Sequence, residues 1–263
     1  MAFSGAARKS PVEVVATMGT YLTRGPAAEM SGLRAGRFGR WADGVTAMRE
    51  DCAAFARYWH GQNDRVLRVG TGPLWVVLGD STAQGLGAAA PDGGYVGQVL
   101  AAMRQRTGQP WRVLNLSKSG SVIQDVLQQQ LTRLPGQPDL VTCGIGINDI
   151  LYTAPGKLFG DLRELIAAVP AGTVLLDLPV PAGVWGLLGR AGAPYIGRIN
   201  RILHEGAAAR GLPVARVSDH FTPPWPGKFA SDCFHPSQAG YQDWSRALLA
   251  VLSQSSSVTD GVG

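Results

Sequence analysis

LWVVLGDSTAQGLG, residues 74–87, begins as an apolar run and stops abruptly on Gly79–Asp80–Ser81. Five consecutive apolar residues bounded by glycine are the length of a strand buried on both faces. The polar pair that follows therefore stands at a strand tip, a rigid place to hold a reactive hydroxyl. Similar runs recur downstream at Val113–Leu116, Leu140–Cys143, Val174–Leu178 and Val214–Val217. Between and after them lie stretches with helical spacing, at about 95–107, 121–134, 157–169, 194–210 and 237–252. Strands alternating with helices predict a parallel sheet covered on both faces. In such sheets, ligands sit beyond the carboxyl ends of the strands.

The 263 residues are 45% hydrophobic and 16% charged, enough to bury a full core in one large domain or a domain with an extension. The net charge of +5 is uneven: residues 1–70 hold ten Lys/Arg against six Asp/Glu, and the remainder is nearly balanced. There is no Lys/Arg run and no nucleic-acid motif, so the basic segment reads as a solvated helix surface and nucleic acid is excluded as a partner. Cys52, Cys143 and Cys233 are sparse, odd in number and without a CxxC spacing, which fits a reducing compartment and a cytoplasmic protein. Glu13 interrupts the only candidate signal segment, and the longest apolar stretch, Thr173 to Leu188, is broken by Asp177, Pro179 and Pro181. Stable membrane insertion is not expected.

Upstream of the sheet, Ser10–Pro11–Val12–Glu13 has the form of a capping box leading a helix through Leu22. A Gly/Arg-rich connector, Ser31 to Arg40, separates it from Trp41, Val45, Met48, Cys52, Phe55 and Trp59, which alternate in steps of four and three. That seam predicts an amphipathic helix whose apolar side is buried on the main domain, in a homo-oligomer, or on a membrane surface. Residues 1–70 thus form an N-terminal helical extension and 71–263 the main domain, with a loose tail from Ser253 onward.

Chemistry-bearing residues cluster just after the strand ends. They are Asp80–Ser81, then Ser117–Lys118–Ser119–Gly120, then Gly146–Ile147–Asn148–Asp149, with Asp232–Cys233–Phe234–His235 before the last helix. One rim would gather a serine, backbone amides, a side-chain amide, a carboxylate and an imidazole, the parts of acyl-transfer catalysis. A free hydroxyl is a poor nucleophile at neutral pH, so Ser81 needs a base. His235 supplies it, and Asp232, three residues earlier on a turn, can orient the imidazole.

With these motifs in this order, residues 73–250 resemble the SGNH (GDSL-type) hydrolases, a superfamily of serine esterases, lipases, thioesterases and acyltransferases. The match comprises Gly79–Asp80–Ser81 (with Thr82 where leucine is usual), Gly120, Gly146–Ile147–Asn148–Asp149, and Asp232–Cys233–Phe234–His235. The resemblance implies a flavodoxin-like three-layer α/β/α domain with a five-stranded parallel sheet. It also implies catalysis by Ser81, Asp232 and His235, with an oxyanion hole from the N–H groups of Ser81 and Gly120 and the amide of Asn148. No metal and no organic cofactor are implied. Asp80 and Asp149 are expected to tie down backbone amides.

Other classes fit less well. Gly85–Leu86–Gly87–Ala88–Ala89–Ala90 has the outline of a dinucleotide fingerprint, but Asp80–Ser81 intervene and no acidic residue ends the next strand. No GxSxG elbow is present, and His60, His204, His220 and His235 lack metal-ligand spacing; Asp219–His220 reads as a loop pair. A non-catalytic binding module would require a degraded motif, and none is degraded. For the substrate, Trp185, Leu187 and Leu188, on a loop after the fourth strand, offer an apolar wall for an acyl chain. Trp225, in the segment from Phe221 to Pro226, offers an opposite rim able to stack on an acyl chain or a sugar. The expected activity is hydrolysis of small-molecule carboxylic esters with short to medium acyl chains. A carbohydrate O-acetyl esterase and an acyltransferase to an alcohol are the alternatives.

Overall fold

The structure is a computed structural model that describes residues 37–180 and 186–259. It begins with a long helix, α1 (Arg37–Arg68), followed by β1 (Leu74–Gly79), α2 (Ser81–Gln84), α3 (Tyr95–Thr107) and β2 (Arg112–Asn115). A composite helix, α4, follows: α-helical over Ile123–Asp125, π-helical over Val126–Gln130 and 3-10 over Leu131–Arg133. Then come β3 (Leu140–Gly144), α5 (Ile147–Tyr152), α6 (Pro155–Ala168), β4 (Val174–Leu176), α7 (Gly186–Ala209), β5 (Val214–Ala215), α8 (Val217–His220) and α9 (Gln238–Thr259).

The five strands are all parallel in the order β2-β1-β3-β4-β5, the flavodoxin-like order expected. Successive strand residues point to opposite faces, and the two layers of core follow from that. Val76, Leu78, Val141, Cys143 and Leu175 face one side, packing with Leu158, Leu162 and Leu165 of α6 and Ile199 of α7. Trp75, Val77, Val174 and Leu176 face the other, packing with Tyr95 and Val99 of α3 and Tyr241, Trp244 and Leu248 of α9. Both faces of β1 are buried, which is why its sequence is continuously apolar rather than alternating.

Helix α1 lies against the β2 edge. Asn63 accepts from the backbone N–H of Asn115 (2.9 Å) and donates to its carbonyl (2.7 Å), a side-chain amide standing where another strand's peptide would pair. Trp59 is buried in the α3–α9 face of the core, and Phe55 packs on Leu86. The side chains of Trp41, Val45 and Met48 and the helix expected from Ser10 to Leu22 lie outside the described residues.

Four local expectations are corrected. The connector drawn through Arg40 already turns helical at Arg37, and α9 runs to Thr259 where a loose tail from Ser253 was expected. Serine is an ordinary helix former when the turn before it is already fixed. Leu187 and Leu188 stand on α7 rather than on a loop, because that helix starts at Gly186 and passes through Pro194, the residue that looked like its first turn. Asp219–His220 lies on the short helix α8, not on a loop. Among the described residues, no helix is long and apolar enough to cross a membrane.

Candidate active site

In the order β2-β1-β3, the chain reverses direction of travel across the sheet at β1, which opens a crevice beyond the strand tips. Ser81 stands in it as the first residue of α2. The turn into that helix is fixed by Asp80, whose Oδ1 accepts from Thr82 N (2.9 Å) and Thr82 Oγ1 (2.8 Å). Asp80 is buried, and burial pushes its carboxyl pKa up against the lowering effect of the Thr82 hydrogen bonds. Gly79 leads into the turn with φ +152°, and a Cβ there would lie 2.5 Å from the Gly144 carbonyl oxygen. Only glycine fits between two strands at that tip.

The imidazole beside Ser81 comes from a distant part of the sequence. His235 Nε2 lies 2.9 Å from Ser81 Oγ, and His235 Nδ1 lies 2.6 Å from Asp232 Oδ2. A carboxylate only accepts, so Nδ1 carries the proton and Nε2 is left to accept from the Ser81 hydroxyl. The other oxygen of Asp232 accepts from the N–H groups of Phe234 and His235, both at 3.0 Å. One carboxylate thus folds the turn and orients the ring. Across from it, Gly87 has φ +97°, and a Cβ there would meet Pro236 O at 2.4 Å and His235 Cβ at 2.9 Å. Of the two glycines resembling a dinucleotide fingerprint, Gly87 belongs to this close approach and Gly85 packs instead on Pro91 and Gly94.

Gly120 and Asn148 come from the tips of β2 and β3. Gly120 has φ +81° and open space around its Cα. Asn148, in the first turn of α5, is buried and donates from Nδ2 to the Ser121 carbonyl (2.9 Å). The amide has a second hydrogen to offer. Asp149 accepts from Ile123 N at 3.1 and 3.2 Å through its two oxygens, and burial pushes its pKa up to about 6.

A cavity of about 40 Å³ borders Thr82 and Pro236, the chain neighbours of Ser81 and His235. Its walls are largely apolar, from Ile145, Ile147, Leu178, Phe221, Phe229 and Phe234, with the buried Asp177 carboxylate among them. Asp177 is fully engaged by Ser218 N (2.9 Å), Ser218 Oγ (2.7 Å) and His204 Nε2 (3.1 Å).

Ser81, Asp232, His235, Gly120 and Asn148 therefore sit at one rim. Trp225 is half-buried against the rings of Phe221 (5.6 Å) and Phe229 (6.0 Å), behind the wall those two phenylalanines form. Trp185 lies outside the described residues, as do the side chains of Leu187 and Leu188. Sequence reasoning missed Ile145, Phe229 and the buried glutamines Gln84 and Gln130. Among the described residues, no three His, Cys, Asp or Glu side chains gather as metal ligands would.

The sequence model of the GDSL-like Lipase/Acylhydrolase family matches residues 77–242. No curated protein matches the chain by sequence. Among solved structures, the fold is similar to LAE5, an alpha/beta hydrolase enzyme from the metagenome of Lake Arreo, Spain, at 24% identity and a TM-score of 0.55, covering 69% of this chain and 95% of that one. It is similar to TesA at 24% identity and a TM-score of 0.55, covering 68% and 97%. It is also similar to a catalytic mutant of Axe2, an acetylxylan esterase from Geobacillus stearothermophilus, at 21% identity and a TM-score of 0.54, covering 70% and 95%.

Proposed function

Because the chain belongs to the GDSL-like lipase/acylhydrolase family and is an ester hydrolase, we propose that it cleaves carboxylic esters of short acyl chains through an acyl-enzyme on Ser81. The observation that carries this reading is the hydrogen-bonded chain from Ser81 through His235 to Asp232, set beside a small apolar cavity.

In the first half-reaction, Ser81 Oγ attacks the ester carbonyl carbon while its proton passes to His235 Nε2. The imidazolium that forms is stabilised by Asp232, which keeps its negative charge throughout. The carbonyl oxygen becomes an oxyanion and is met by the N–H groups of Ser81 and Gly120 and by the free hydrogen of Asn148 Nδ2. Removing one such donor typically costs about 3–4 kcal/mol of transition-state stabilisation. The tetrahedral adduct collapses, the ester C–O bond breaks, and His235 returns the proton to the leaving alcohol. A water then attacks the acyl-enzyme with His235 again taking the proton, releasing the carboxylic acid and restoring Ser81.

Cavity size supports the acyl-chain preference. At about 10–15 Å³ for each water-sized group, about 40 Å³ holds a few heavy atoms, an acetyl to butyryl group rather than a long chain. The same size favours a second reading, removal of O-acetyl groups from carbohydrate. A series of p-nitrophenyl esters from acetate to palmitate, with acetylated sugars and with alcohols as acceptors, tests both. Highest kcat/KM on acetate to butyrate is expected. A maximum on octanoate or longer would overturn the short-chain assignment.

A further inference from the structure

Gly120 is the third residue of a turn closed by Ser121 N–H donating to Lys118 O (3.1 Å), and Lys118 N–H donates to Gly79 O (3.2 Å). It is exposed, has φ +81°, and nothing lies within 4 Å of where a Cβ would be. An oxyanion donor is effective only when aimed in advance, so this surface turn must be anchored to the elements that carry Ser81 and Asn148.

Two buried glutamines do this. Gln84, in the helix that begins with Ser81, donates from Nε2 to Ser117 O (3.0 Å), and its Oε1 accepts from Ser119 Oγ (2.6 Å). It ties the nucleophile's helix to the segment entering Gly120. Gln130 faces the segment leaving it. Its Oε1 accepts from Gly79 N (2.8 Å) and its Nε2 donates to Gly79 O (2.9 Å), with a longer contact to Ser121 Oγ (3.4 Å). Ser121 is also the residue whose carbonyl receives Asn148. Gln130 ends the π-helical turn of α4, an irregularity found frequently at functional sites. It supplies the acceptor for the Gly79 N–H at the tip of β1, and it shares the Gly79 carbonyl with Lys118 N–H (3.2 Å). Both side chains are almost fully buried, at 4% and 3% exposure.

We infer that Gln84 and Gln130 are positioning residues that set the spacing and aim of the oxyanion donors, Gln84 from the side of Ser81 and Gln130 from the side of Asn148. The inference rests on the proposed role of Ser81, Gly120 and Asn148. Neither glutamine touches the reacting atoms. Gln84 acts through the Ser117 carbonyl and the Ser119 hydroxyl, and Gln130 through the Gly79 peptide groups and the Ser121 hydroxyl, so the loss of either is felt when negative charge develops on the substrate and much less when neutral ester binds.

The test uses the full chain and p-nitrophenyl acetate, with Gln84→Met, Gln130→Met and Asn148→Ala made singly and in pairs. Methionine keeps the side-chain length and removes the amide. For each glutamine variant, kcat should fall about tenfold or more while KM stays within about twofold, the pattern of a lost transition-state interaction. Paired with Asn148→Ala, the further fall should shrink to about threefold or less, because groups serving one oxyanion do not act independently. Melting temperature and near-ultraviolet circular dichroism establish that the variants are folded. If Gln130→Met does not fold, Gln130→Glu, which keeps the acceptor for Gly79 N and loses the donor, is measured in its place. Folded glutamine variants with unchanged kcat, or with losses that multiply fully with that of Asn148→Ala, would overturn the inference. Full turnover in both Asn148→Ala and Ser81→Ala would instead remove the underlying reading of the site.

Discussion

Trp59 donates its indole N–H to the carbonyl of Gln84 at 2.8 Å, joining the N-terminal helix to the last residue of the helix that begins with Ser81. Four residues along the same helix, Asn63 closes the edge of β2. Trp59→Phe keeps the ring packing but leaves a buried carbonyl unpaired, and Asn63→Ala reopens the edge. Each should cost about 1–3 kcal/mol of stability, the usual penalty for a buried polar group deprived of its partner. Urea denaturation followed by tryptophan-independent circular dichroism measures it. The folded fraction should retain turnover, established by titrating the site with a serine-reactive phosphonate.

Ser81→Ala should leave the fold intact and reduce kcat by about a thousandfold or more, and Asp232→Asn by about 10³–10⁴-fold, since the amide favours the wrong tautomer of the ring. Mass spectrometry after phosphonate treatment should find one adduct on the wild type and none on Ser81→Ala. An adduct that persisted at Ser117, Ser119 or Ser121 would move the nucleophile.

Leu178 is nearly fully buried in the cavity wall. Leu178→Ala should enlarge the space and shift the preferred p-nitrophenyl ester toward longer acyl chains, at a stability cost of about 2–5 kcal/mol. An unchanged chain-length profile in a folded variant would show that the acyl group lies elsewhere.

Burial raises the pKa of Asp149 from the ordinary carboxylate range to about 6. The folded state therefore holds this proton more tightly than the unfolded chain does. Its contribution to stability is fully present below about pH 4 and is lost as pH rises through about 6, amounting to about 3 kcal/mol at most. Asp149→Asn keeps an oxygen for Ile123 N and removes the titration. Relative to wild type, the variant should gain stability progressively from about pH 4 to pH 6.5. Denaturation midpoints that ran parallel across that interval would refute the assignment.

Gly87→Ala should lower kcat with little change in KM, because the new methyl would have to displace His235 Cβ or the Pro236 carbonyl. The positive φ at this position adds a backbone penalty of about 1–2 kcal/mol. Steady-state kinetics beside a melting curve separate the two effects.

The sheet and the positions of the candidate site residues were legible in the sequence for the same physical reason. A fully buried parallel strand is a short apolar run, and a polar residue just past its end has few structural roles there. That places Ser81, Gly120 and Asn148 at tips before any contact is known, and the three-residue spacing of Asp232 and His235 lets a carboxylate meet an imidazole. Gln84 and Gln130 were not legible, because their importance lies in which backbone groups they reach, some 33 to 51 residues away in sequence. Gln130 also closes a run of three glutamines of which only it turns inward and is buried. Phe229 was missed because the steps of four from Phe221 through Trp225 to Phe229 run through Pro223, Pro224, Pro226 and Gly227, where no helix forms to give the spacing a face. Pro194 misled in the opposite direction, marking the expected start of a helix that begins eight residues earlier, at Gly186.

Ser81 and His235 are separated by 154 residues, and Tyr241, whose hydroxyl reaches back to the carbonyl of Leu86 (2.7 Å), by 155 from its partner. The turn that carries Ser81 is thus synthesised early, while His235 and the helix α9 that covers β1 on that side follow more than 150 residues later. At about 5–20 residues per second, the chain spends roughly 8–30 s with Trp75 and Val77 lacking Tyr241, Trp244 and Leu248 over them. Through that interval the nascent protein holds the Ser81 hydroxyl without the His235 imidazole, and part of one face of β1 stays uncovered. The pairing of Ser81 with His235 and the closure of that face await the same distant stretch of sequence.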